Sequence, residues 1–482
     1  MKEKQDGITV KKADDFSEWY TQAVIKSEFV DYTSVSGGLA FRPDGYFAWE
    51  AIQRATDALF KEAGIQNVYF PMFIPERLLA KEKEHVEGFN PEVAWVTHTG
   101  DSKLDERLAV RPTSETIMYD SYSKWVRSWR DLPMRYNQWN SVVRWEFKHP
   151  TPLLRSREFL WNEGHTAFAT REEADAERDV ILGIYQRILR EFLALPGVVG
   201  RKTDYEKFAG AEATFSIEHM LPDGKVVQGP DFHSDGQKFA HAFEIKFIDR
   251  SGKTEYAYQN TFAISTRELG VMVGVHGDDR GLVMPPRIAR VQVVIVPIYN
   301  SETMESVLKE AEVLRKRLEG KFRVIVDSRD VYSPGWKFNE WELRGVPIRM
   351  ELGARELAER KVVLARRDTG EKIGVALGEA DAVVGRMLDE IGESMYKRAA
   401  DFLAKHTHKV KDYAALKDVV EKGAGFAQAH WCGSHDCEAK IKEETGAKAS
   451  NMPLDAQRGA EGGRCVYCGK PAAHVVNFAR SY

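Results

Sequence analysis

Two arginines and an aromatic ring lie close together in the stretch VVRWEFKHPTPLLRSREFLWNEGHTAF, residues 142–168. Guanidinium groups such as those of Arg144 and Arg155 match the oxygens of a polyphosphate, and the ring of Phe159 can stack on a base. These residue types therefore indicate a nucleotide site. A solvated hairpin with cross-strand ion pairs, such as Arg144 with Glu163, explains the same residues equally well, so this stretch alone does not decide.

The elements that carry these side chains are predicted to be two strands joined by a loop. The period-2 alternation of the second strand places one set of side chains on the same face: Phe159, Trp161, Glu163 and His165. Prolines between the strands predict a longer, mobile loop rather than a two-residue turn. The polar face of this hairpin is the first candidate functional surface.

The composition of the chain limits the classes of protein it can belong to. With 482 residues the chain is long enough for roughly three domains. Its 69 basic and 73 acidic residues give a formal net charge of −4, so any contact with nucleic acid must come from local basic patches. The first residues lack the apolar segment of a signal peptide, and no apolar run reaches membrane-spanning length. We therefore expect a soluble, cytoplasmic protein without a membrane partner.

The patterns along the chain predict three units. Residues 1–285 mix hairpin-connected strands with helices, including helices over 43–63 and about 171–194, which indicates an α+β domain with an antiparallel sheet. In residues 286–400, near-continuous apolar strands alternate with amphipathic helices, as in a small α/β domain of βαβ type. Residues 401–482 form a small α+β unit that contains all four cysteines.

The four cysteines have the spacing of a structural metal site. Cys432 and Cys437 form C-x4-C, and after 27 residues Cys465 and Cys468 form C-x2-C. Four thiolates on two such knuckles suit a closed tetrahedral Zn²⁺ site. Free thiols or a redox pair are the alternative, and His435 is the one credible substitute ligand.

The order of several residues along the chain carries a family resemblance. A helix that leads to Pro71, then Arg144 with Glu146, a loop with Arg155, and finally Arg267 at a helix start resemble the three signature motifs of class II aminoacyl-tRNA synthetases. Within that class, RPTSE, REFLWNEGHTAF, RKTDYEKFAGAE, STRELG and HGDDRGLVMPPR are similar to the prolyl-tRNA synthetase family of archaeal and eukaryotic-like type. The family's catalytic, anticodon-binding and zinc-bearing units agree with the three units predicted above.

The resemblance implies a site for ATP, with Mg²⁺ as catalytic ion. Arg144 would bind the α-phosphate, whereas Arg155 and Arg267 would bind the distal phosphates. Phe159 would stack on adenine, and Glu146 would act as acidic partner near it. The family has further ATP contacts at three positions, here Gln228, Asp231 and Ser265.

The resemblance also implies a pocket for L-proline. Thr113 and Glu115 of TSE would hold the imino nitrogen, and Arg144 would lie on the carboxylate side. The walls of the pocket would come from four further residues: Trp161, Glu163, His165 and His233. A plain helix N-terminus, with Thr113 or Ser114 as cap, is the alternative explanation of PTSET.

Three positions depart from the family pattern. Trp161–Asn162–Glu163 stands where the family often has WQE, and Thr261–Phe262–Ala263 stands where it often has SWG. Asp231 replaces a hydroxyl residue of some relatives. These departures predict a slightly different pocket floor.

The segment SPGWKFNEWELRGVPIRMELG is the candidate for tRNA anticodon recognition. Trp336 and Phe338 could stack on bases. The candidates for contacts with base edges or phosphates are Lys337, Glu340, Arg344 and Arg349, with Glu340 expected to read a guanine. An amphipathic helix whose aromatic rings face the core explains the same spacing.

Several properties of the whole protein follow from the resemblance. We expect a homodimer whose interface includes the first motif around Pro71, and a terminal Tyr482 that reaches towards the active site. A pocket for pyrrolidine excludes smaller amino acids weakly, since a missing methylene is worth about 1–3 kcal/mol, so misactivation of cysteine or alanine is expected. The segment between the hairpin and FAISTR leaves no room for an editing domain.

Two other functions remain open from sequence alone. A regulatory or RNA-binding paralogue without catalysis would retain the fold, although such decay typically removes one of the motif residues Arg144, Glu146, Arg155 and Arg267. A class II synthetase that charges another small amino acid is the second alternative, because the pocket residues depart from the pattern.

Overall fold

The computed structural model describes residues 7–85, 92–146 and 149–482. The elements of the first part of the chain are α1 (Phe16–Lys26), β1 (Val30–Tyr32), β2 (Leu39–Phe41), α2 (Pro43–Glu62), β3 (Gln66–Asn67), β4 (Phe73–Pro75), α3 (Glu76–His85), β5 (Trp95–Thr99), β6 (Ser102–Val110), α4 (Glu115–Trp125), β7 (Met134–Val143), β8 (Glu158–Phe168), α5 (Arg171–Leu193), β9 (Val198–Arg201), β10 (Ala213–Met220), β11 (Val226–Gly236), α6 (Lys238–Phe243), β12 (Lys246–Ile248), β13 (Thr254–Tyr256), β14 (Tyr258–Ser265) and α7 (Arg267–His276).

The remaining residues continue the alternation of strands and helices. These elements are β15 (Val293–Ile298), α8 (Met304–Glu319), β16 (Val324–Val326), α9 (Pro334–Leu343), β17 (Ile348–Gly353), α10 (Ala354–Ala358), β18 (Lys361–Arg366), β19 (Lys372–Ala376), α11 (Ala380–Lys405), β20 (Thr407–Lys409), α12 (Tyr413–Glu421), β21 (Phe426–Trp431), α13 (His435–Thr445), β22 (Lys448–Pro453) and β23 (His474–Ala479). Short 3₁₀ turns lie at Trp129–Asp131, Leu377–Glu379 and Gln457–Ala460.

One large sheet forms the scaffold of the first part of the chain. Its central strands β10, β11, β14, β8 and β7 pair antiparallel in that order. Thr261 of β14 lies opposite His233 of β11 on one side and His165 of β8 on the other. Because side chains alternate between the faces of a strand, these three residues share one face of the sheet. The predicted antiparallel α+β fold is confirmed.

Helices cover the opposite face of this sheet. The predicted helices over 43–63 and 171–194 are α2 and α5, and α5 begins with a capping box formed by Thr170 and Glu173. Phe60 of α2 and Tyr185 of α5 pack edge-on, and Phe60 also contacts the ring of Phe262 from the sheet. This buried layer leaves the other face of the sheet free for polar side chains.

A second, five-stranded sheet has the order β16, β15, β17, β18, β19. Strand β15 pairs parallel with β16 and β17, as the βαβ pattern predicts, and α8 connects β15 to β16. Strands β18 and β19 extend the sheet antiparallel, so the sheet is mixed. Its core contains Ile295, Ile348 and Leu364 with the apolar faces of α8 and α11.

The C-terminal strands β20 to β23 do not form a separate sheet. Strand β22 pairs with β23 on one side and with β9 on the other, where Met452 lies opposite Arg201 and Pro453 opposite Gly200. The large sheet therefore runs without interruption from β3 at one edge to β20 at the other. Within the described ranges, no helix combines the length and the apolar character needed to cross a bilayer.

Candidate active site and metal centre

A cleft of about 430 Å³ opens on the polar face of the large sheet. Ten predicted site residues line it: Thr113, Glu115, Arg144, Glu146, Trp161, Glu163, His165, Gln228, Asp231 and His233. Four other predicted residues, Arg155, Phe159, Ser265 and Arg267, do not line this cleft. Sequence positions more than 100 apart thus meet at one place, because β8, β11 and β14 are neighbours in the sheet.

The segment RPTSE places a buried carboxylate at one end of the cleft. Glu115 is the first residue of α4 and is 5% exposed, and Thr113 donates a hydrogen bond to its carboxylate. Ser114 precedes the helix, but its hydroxyl does not cap it. The hydroxyl of Ser114 instead donates to Glu163 of β8. Simple helix capping therefore does not explain this segment.

Glu163 is buried and accepts hydrogen bonds on both carboxylate oxygens. Oε1 accepts from Asn140 at 2.6 Å and from Gln138 at 3.1 Å, and Oε2 accepts from the backbone N–H of Ser114 at 2.9 Å. Burial alone would raise the pKa of Glu163, but hydrogen bonds and the nearby imidazole of His165 lower it to about 2. Glu163 is consequently ionised and joins β7, β8 and the start of α4.

The second arm of the hairpin continues this network to His165. His165 Nε2 lies 3.3 Å from Glu163 Oε2, and its Nδ1 lies 3.2 Å from the hydroxyl of Tyr119. The hydroxyl of Tyr122 donates to the carbonyl oxygen of His165 at 2.9 Å. Two tyrosines of α4 thereby fix the imidazole at the floor of the cleft.

Arg144 lies directly after β7, at the mouth of the cleft. Its guanidinium carbon is 5.1 Å from the ring of Trp161 and 5.4 Å from the ring of Phe159. Its Nε donates to the carbonyl oxygen of Pro112 at 3.0 Å. Within the part of the chain that the structure describes, no ion pair joins Arg144 to Glu163, so the solvated-hairpin explanation does not hold for that pair.

Residues 151–155 of the connection between the two arms of the hairpin are packed against the protein. Leu153 and Leu154 are each 2% exposed, and the hydroxyl of Tyr20 donates to the carbonyl oxygen of Pro152 at 2.9 Å. Backbone hydrogen bonds join Thr151 to Arg155 in both directions. Arg155 is thus presented from an anchored turn.

Arg267 begins α7 and brings a third guanidinium to the same region. Its Nη1 donates to the carbonyl oxygen of Gln228 at 3.1 Å, and its Nε donates to that of Leu154 at 3.2 Å. Burial and the nearby positive charge of Arg144 lower the pKa of Arg267. Positive charges held this close to one another favour a polyanionic ligand between them.

Polar residues of β11 complete the cleft. Gln228 Nε2 donates to Asp231 Oδ2 at 2.9 Å, and His233 Nε2 lies 3.6 Å from the same oxygen. Burial lowers the pKa of His233, which favours the neutral imidazole. The carboxylates of Asp231 and Glu146 also line the cleft, and carboxylate oxygens are donors of the kind Mg²⁺ prefers.

One wall of the cleft consists of residues that the sequence analysis does not name individually. The connection from β9 to β10 contributes Glu206, Lys207, Phe208 and Ala209 to the lining. The family motif RKTDYEKFAGAE covers this connection and was the available signal. Its individual residues gave no indication, because their contact with the cleft depends on how β9 pairs with β10.

One of the three departures from the family pattern, Asn162, does not face the cleft. Asn162 donates to Asn137 Oδ1 at 2.8 Å and accepts from the hydroxyl of Tyr185, on the helix-covered face. The ring of Phe262 contacts Phe60 on that face, and a Cβ at Gly164 would come within 2.0 Å of it. Residues Thr261, Phe262 and Ala263 nevertheless line the cleft, as does Asp231.

The four cysteines form a compact cluster at the other end of the large sheet. Cys432 Sγ lies 3.7 Å from Cys437 Sγ and 3.7 Å from Cys468 Sγ, and all four Sγ atoms lie within 4.8 Å of one another. Sulfurs in a tetrahedron around zinc, with bonds of about 2.3 Å, are about 3.8 Å apart. The cluster therefore fits a zinc ion. His435, the predicted substitute, is not part of it.

The predicted anticodon residues lie on α9 and β17 of the second sheet. Lys337 is buried and donates to the carbonyl oxygen of Asp327 at 3.0 Å, and Arg349 pairs with Glu342 at 3.0 Å. Arg344 pairs with Asp44 of α2 at 2.6 Å.

Glu340, the fourth predicted anticodon residue, pairs with Arg329. Trp336 stacks on the exposed ring of Tyr332 at 3.8 Å. Phe338 packs against the core beneath α9, as the amphipathic-helix alternative expects.

The C-terminal residue lies beside β11. The backbone N–H of Tyr482 donates to the carbonyl oxygen of Val226 at 3.0 Å, and Lys225 Nζ lies 4.9 Å from the centre of its ring. Val226 precedes Gln228 by two residues, so the tail is two positions from the cleft along this strand.

Three segments of the chain match models of known families. Residues 95–276 match the tRNA synthetase class II core domain (G, H, P, S and T), and residues 292–387 match an anticodon binding domain. Residues 413–482 match the C-terminal domain of prolyl-tRNA synthetase. The antiparallel sheet, the polar cleft on its face and the matched core define the catalytic domain of a class II aminoacyl-tRNA synthetase.

Full-length relatives specify the family further. The chain is 49% identical over 468 residues to a proline--tRNA ligase of Alkaliphilus oremlandii, covering 97% of this chain and 96% of the relative. It is 47% identical over 481 residues to proline--tRNA ligase 2 of Bacillus cereus, covering 100% of both. A crystal structure of prolyl-tRNA synthetase from Cryptosporidium parvum, complexed with halofuginone and AMPPNP, superimposes with a TM-score of 0.94 at 42% identity, covering 99% of this chain and 100% of that one. The chain belongs to the prolyl-tRNA synthetase family, which confirms the resemblance seen in its motifs.

Proposed function

We propose that the protein activates L-proline with ATP and transfers the prolyl group to tRNA(Pro). In the first step, a carboxylate oxygen of proline attacks the α-phosphorus of ATP, the bond from that phosphorus to the bridging oxygen breaks, and pyrophosphate leaves. In the second step, a ribose hydroxyl of the tRNA 3′ end attacks the prolyl carbonyl, loses its proton, and AMP leaves. Neither step needs a protein nucleophile, since positioning and electrostatic stabilisation supply the rate.

The observation that carries this proposal is the meeting of Glu115 and Arg144 in one cleft. The secondary ammonium of proline needs acceptors, which Glu115 and the hydroxyl of Thr113 can provide. The carboxylate of proline would then point towards Arg144. Trp161 and His233 form the walls beside the ring, while Glu163 and His165 hold the floor in place through their hydrogen bonds.

The roles proposed for the ATP end follow the convergence of three arginines. Arg144 binds the α-phosphate, where negative charge develops in the transition state, and Arg155 and Arg267 bind the distal phosphates. Phe159 stacks on adenine, with Glu146 beside it. Further contacts to ATP are proposed for Gln228, Asp231 and Ser265. Mg²⁺, when bound, would neutralise phosphate charge, and the carboxylates of Glu146 and Asp231 are suited to hold it. The related crystal structure with AMPPNP, an ATP analogue, supports a nucleotide site here.

The test of this proposal is amino-acid-dependent exchange of pyrophosphate into ATP. Proline, cysteine, alanine and threonine are assayed in parallel on the purified chain, with threonine as the β-branched control. We expect the largest kcat/KM with proline. A larger value for another amino acid would overturn the pocket assignment, and no exchange with any of them would favour the non-catalytic paralogue.

We also propose that cysteine and alanine are misactivated and that this chain does not edit them. Each missing methylene weakens binding by only about 1–3 kcal/mol, which limits discrimination. Residues 169–257, between β8 and β14, are occupied by α5, α6 and strands β9 to β13 of the core fold. Hydrolysis of alanyl-tRNA by the purified chain would contradict the second part of the proposal.

The second sheet is proposed to bind the anticodon loop of the tRNA. Glu340 is proposed to accept hydrogen bonds from a guanine edge, and the stacked rings of Trp336 and Tyr332 offer a platform for a base. Lys337, Arg344 and Arg349 would support this surface through their pairs within the chain. Glu340→Gln should raise KM for tRNA and leave pyrophosphate exchange unchanged.

A homodimeric assembly and a cytoplasmic location of the protein are also proposed. Tyr69, Met72 and Phe73, on either side of Pro71, are 73%, 40% and 44% exposed, and such an apolar patch suits the interface of a homodimer. Light scattering after gel filtration distinguishes a dimer from a monomer.

The four cysteines are proposed to bind one structural Zn²⁺, and their reduced state suits the cytoplasm.

A further inference from the structure

A single helix of the cysteine-rich region contacts the loop that forms one wall of the cleft. The helix is α13, which begins three residues after Cys432 and contains Cys437. The loop is residues 203–209, between β9 and β10, and its second half lines the cleft. We name these residues the wall loop. The zinc-type cluster and the amino-acid pocket are therefore separated by one helix and one short loop.

Three side chains on one face of α13 contact the wall loop. Glu438 Oε1 accepts a hydrogen bond from the hydroxyl of Thr203 at 2.9 Å. The imidazole of His435 stacks on the ring of Tyr205, with centroids 4.2 Å apart and planes inclined by 20°. Lys442 Nζ lies 3.4 Å from a carboxylate oxygen of Glu206.

The spacing of the three helical residues makes these contacts a continuous surface. Positions 435, 438 and 442 are three and four residues apart, so their side chains lie along one face of a helix. His435, Glu438 and Lys442 meet Tyr205, Thr203 and Glu206, respectively. One rigid helix thus fixes the first half of the loop at three points.

Within the wall loop, backbone hydrogen bonds transmit the position of the first half to the second. The backbone N–H groups of Glu206 and Lys207 donate to the carbonyl oxygen of Thr203 at 3.2 and 3.0 Å. The hydroxyl of Thr203 also accepts from the N–H of Glu206 at 3.3 Å. Thr203 therefore joins Glu438 of α13 to the turn that leads into the cleft.

The second half of the wall loop ends against the proline end of the cleft. The ring of Phe208 lies 4.9 Å from that of His233, and the backbone N–H of Phe208 donates to the hydroxyl of Thr214 at 3.0 Å. The same hydroxyl is 2.8 Å from His233 Nδ1. Phe208 therefore packs against the imidazole of His233, which lines the pocket, and shares a hydrogen-bond partner with it.

The base of the wall loop is anchored to the same C-terminal region. Lys202, immediately before the loop, is buried and donates to the carbonyl oxygen of Ser450 at 2.6 Å, while β9 pairs with β22. Lys202 also pairs with Glu218 at 2.5 Å. The strand that follows α13, β22, thus holds the loop at its start.

We propose that α13 is a positioning element for the amino-acid pocket, and that Tyr205, Glu438 and Lys442 hold the wall loop in the conformation that binds the amino acid. This inference rests on the proposed role of the cleft in binding proline. Loss of the contacts allows the loop to leave the pocket, which weakens binding of proline but leaves the arginines that bind ATP in place. The metal site then matters to catalysis because it fixes the start of α13.

The experiment compares substitutions at these contacts in the full-length, zinc-loaded protein. Tyr205→Ala and Lys442→Ala each remove one contact, whereas Tyr205→Phe retains the ring that stacks on His435. Glu443→Ala is the matched control, because Glu443 is an exposed residue of α13 away from the wall loop. Zinc content is measured by elemental analysis for every variant, so that loss of metal is recognised.

Two readouts test the proposal. In pyrophosphate exchange, Tyr205→Ala and Lys442→Ala should raise KM for proline about tenfold with KM for ATP nearly unchanged, as expected when a positioning group is lost. Tyr205→Phe should restore the wild-type KM and Glu443→Ala should not alter it. In hydrogen exchange without substrate, the amides of Glu206 and Lys207 should exchange faster in the two alanine variants.

The outcomes separate this inference from the proposed function. If the wild type lacks proline-dependent exchange, the proposed function fails first. If the wild type is active and both alanine variants retain zinc and a KM for proline within about twofold of wild type, α13 does not position the pocket. Equal increases in KM for proline and for ATP would also overturn it, since that result indicates a general structural role.

Discussion

His219 Nε2 lies 3.0 Å from Glu268 Oε2, and each side chain is 1% exposed. Glu268 follows Arg267 in α7, and the imidazole lies against Gly229, where a Cβ would come within 2.5 Å of it. The pair therefore joins the helix that presents Arg267 to β10, and β10 pairs with β11, whose Gln228 carbonyl accepts from Arg267.

Substitution of Glu268 should strongly destabilise the protein. Glu268→Ala leaves His219 as a buried group without its partner, which costs about 3–5 kcal/mol. The midpoint of the first transition in urea measures this. Glu393→Ala removes a surface pair with Arg190 and should cost no more than about 1 kcal/mol. A similar effect of both substitutions would contradict the importance of the buried pair.

The pair also predicts a pH dependence. Burial works to lower the pKa of His219, but Glu268 outweighs burial, so the pKa is raised above its usual value of 6.5. The folded state therefore binds the proton more tightly than the unfolded state. The contribution to stability is full below pH 6.5 and decreases as the pH rises through the folded pKa. Urea midpoints of wild type and His219→Gln should approach each other above that pH.

The lowered pKa of Glu163 predicts that its contribution to stability is lost as the pH falls, whereas the contribution of His219 is lost as the pH rises. The pKa of Glu163 is lowered from 4.5 to about 2, so its contribution to stability is present above pH 4.5 and is lost as the pH falls through about 2. Glu163→Gln replaces an acceptor by an amide N–H₂ that faces the donors Ser114, Asn140 and Gln138. We expect a loss of about 1–3 kcal/mol at pH 7, measured by urea unfolding. An unchanged midpoint would mean that the network rearranges around glutamine.

Arg267→Lys should affect ATP more than proline. Lysine retains the charge but loses the planar fork that donates to two carbonyl oxygens and that we propose binds the distal phosphates. We expect KM for ATP to rise about tenfold and KM for proline to change little. Arg386→Lys, at an exposed position of α11, is the control. A selective increase in KM for proline would contradict this assignment, because it would indicate that Arg267 binds proline instead of ATP.

Removal of the metal should unfold the region around α13. The Cys437→Ser variant loses one sulfur of the cluster, and zinc of this type contributes apparent folding energy of about 10–16 kcal/mol to a small unit. The zinc content should fall from one ion per chain to near zero. Limited proteolysis should then cleave first within the last 80 residues. Full retention of zinc would assign the metal to other ligands.

Several features of the site can be predicted from the sequence, because they depend on patterns within short segments of the chain. The alternation in β8 correctly placed Trp161, Glu163 and His165 on one face, since the two-residue period is a property of any strand. The spacing of the cysteines predicted their cluster, because two short knuckles bring four thiols together with little help from the rest of the chain. The order of the motifs identified the family before any contact was known.

Other features depended on residues far apart in the chain. Thr203 and Glu438 are 235 positions apart, and no pattern in either segment indicates their hydrogen bond. Likewise, the pattern around Lys337 predicts a contact with RNA, whereas its ammonium group is buried and donates to the carbonyl oxygen of Asp327. Solvent exposure is decided by what packs above a residue, which local periodicity does not contain.

The amino-acid sequence by itself determined the family, the residue types of the cleft and the four cysteines that form the cluster. Each of these depends on short-range spacing or on motif order. The tertiary structure alone decided that the C-terminal strands continue the catalytic sheet and that α13 supports the wall loop. Those relationships arise when β22 pairs with β9, and a strand's partner is selected by packing across the whole fold rather than by its own sequence.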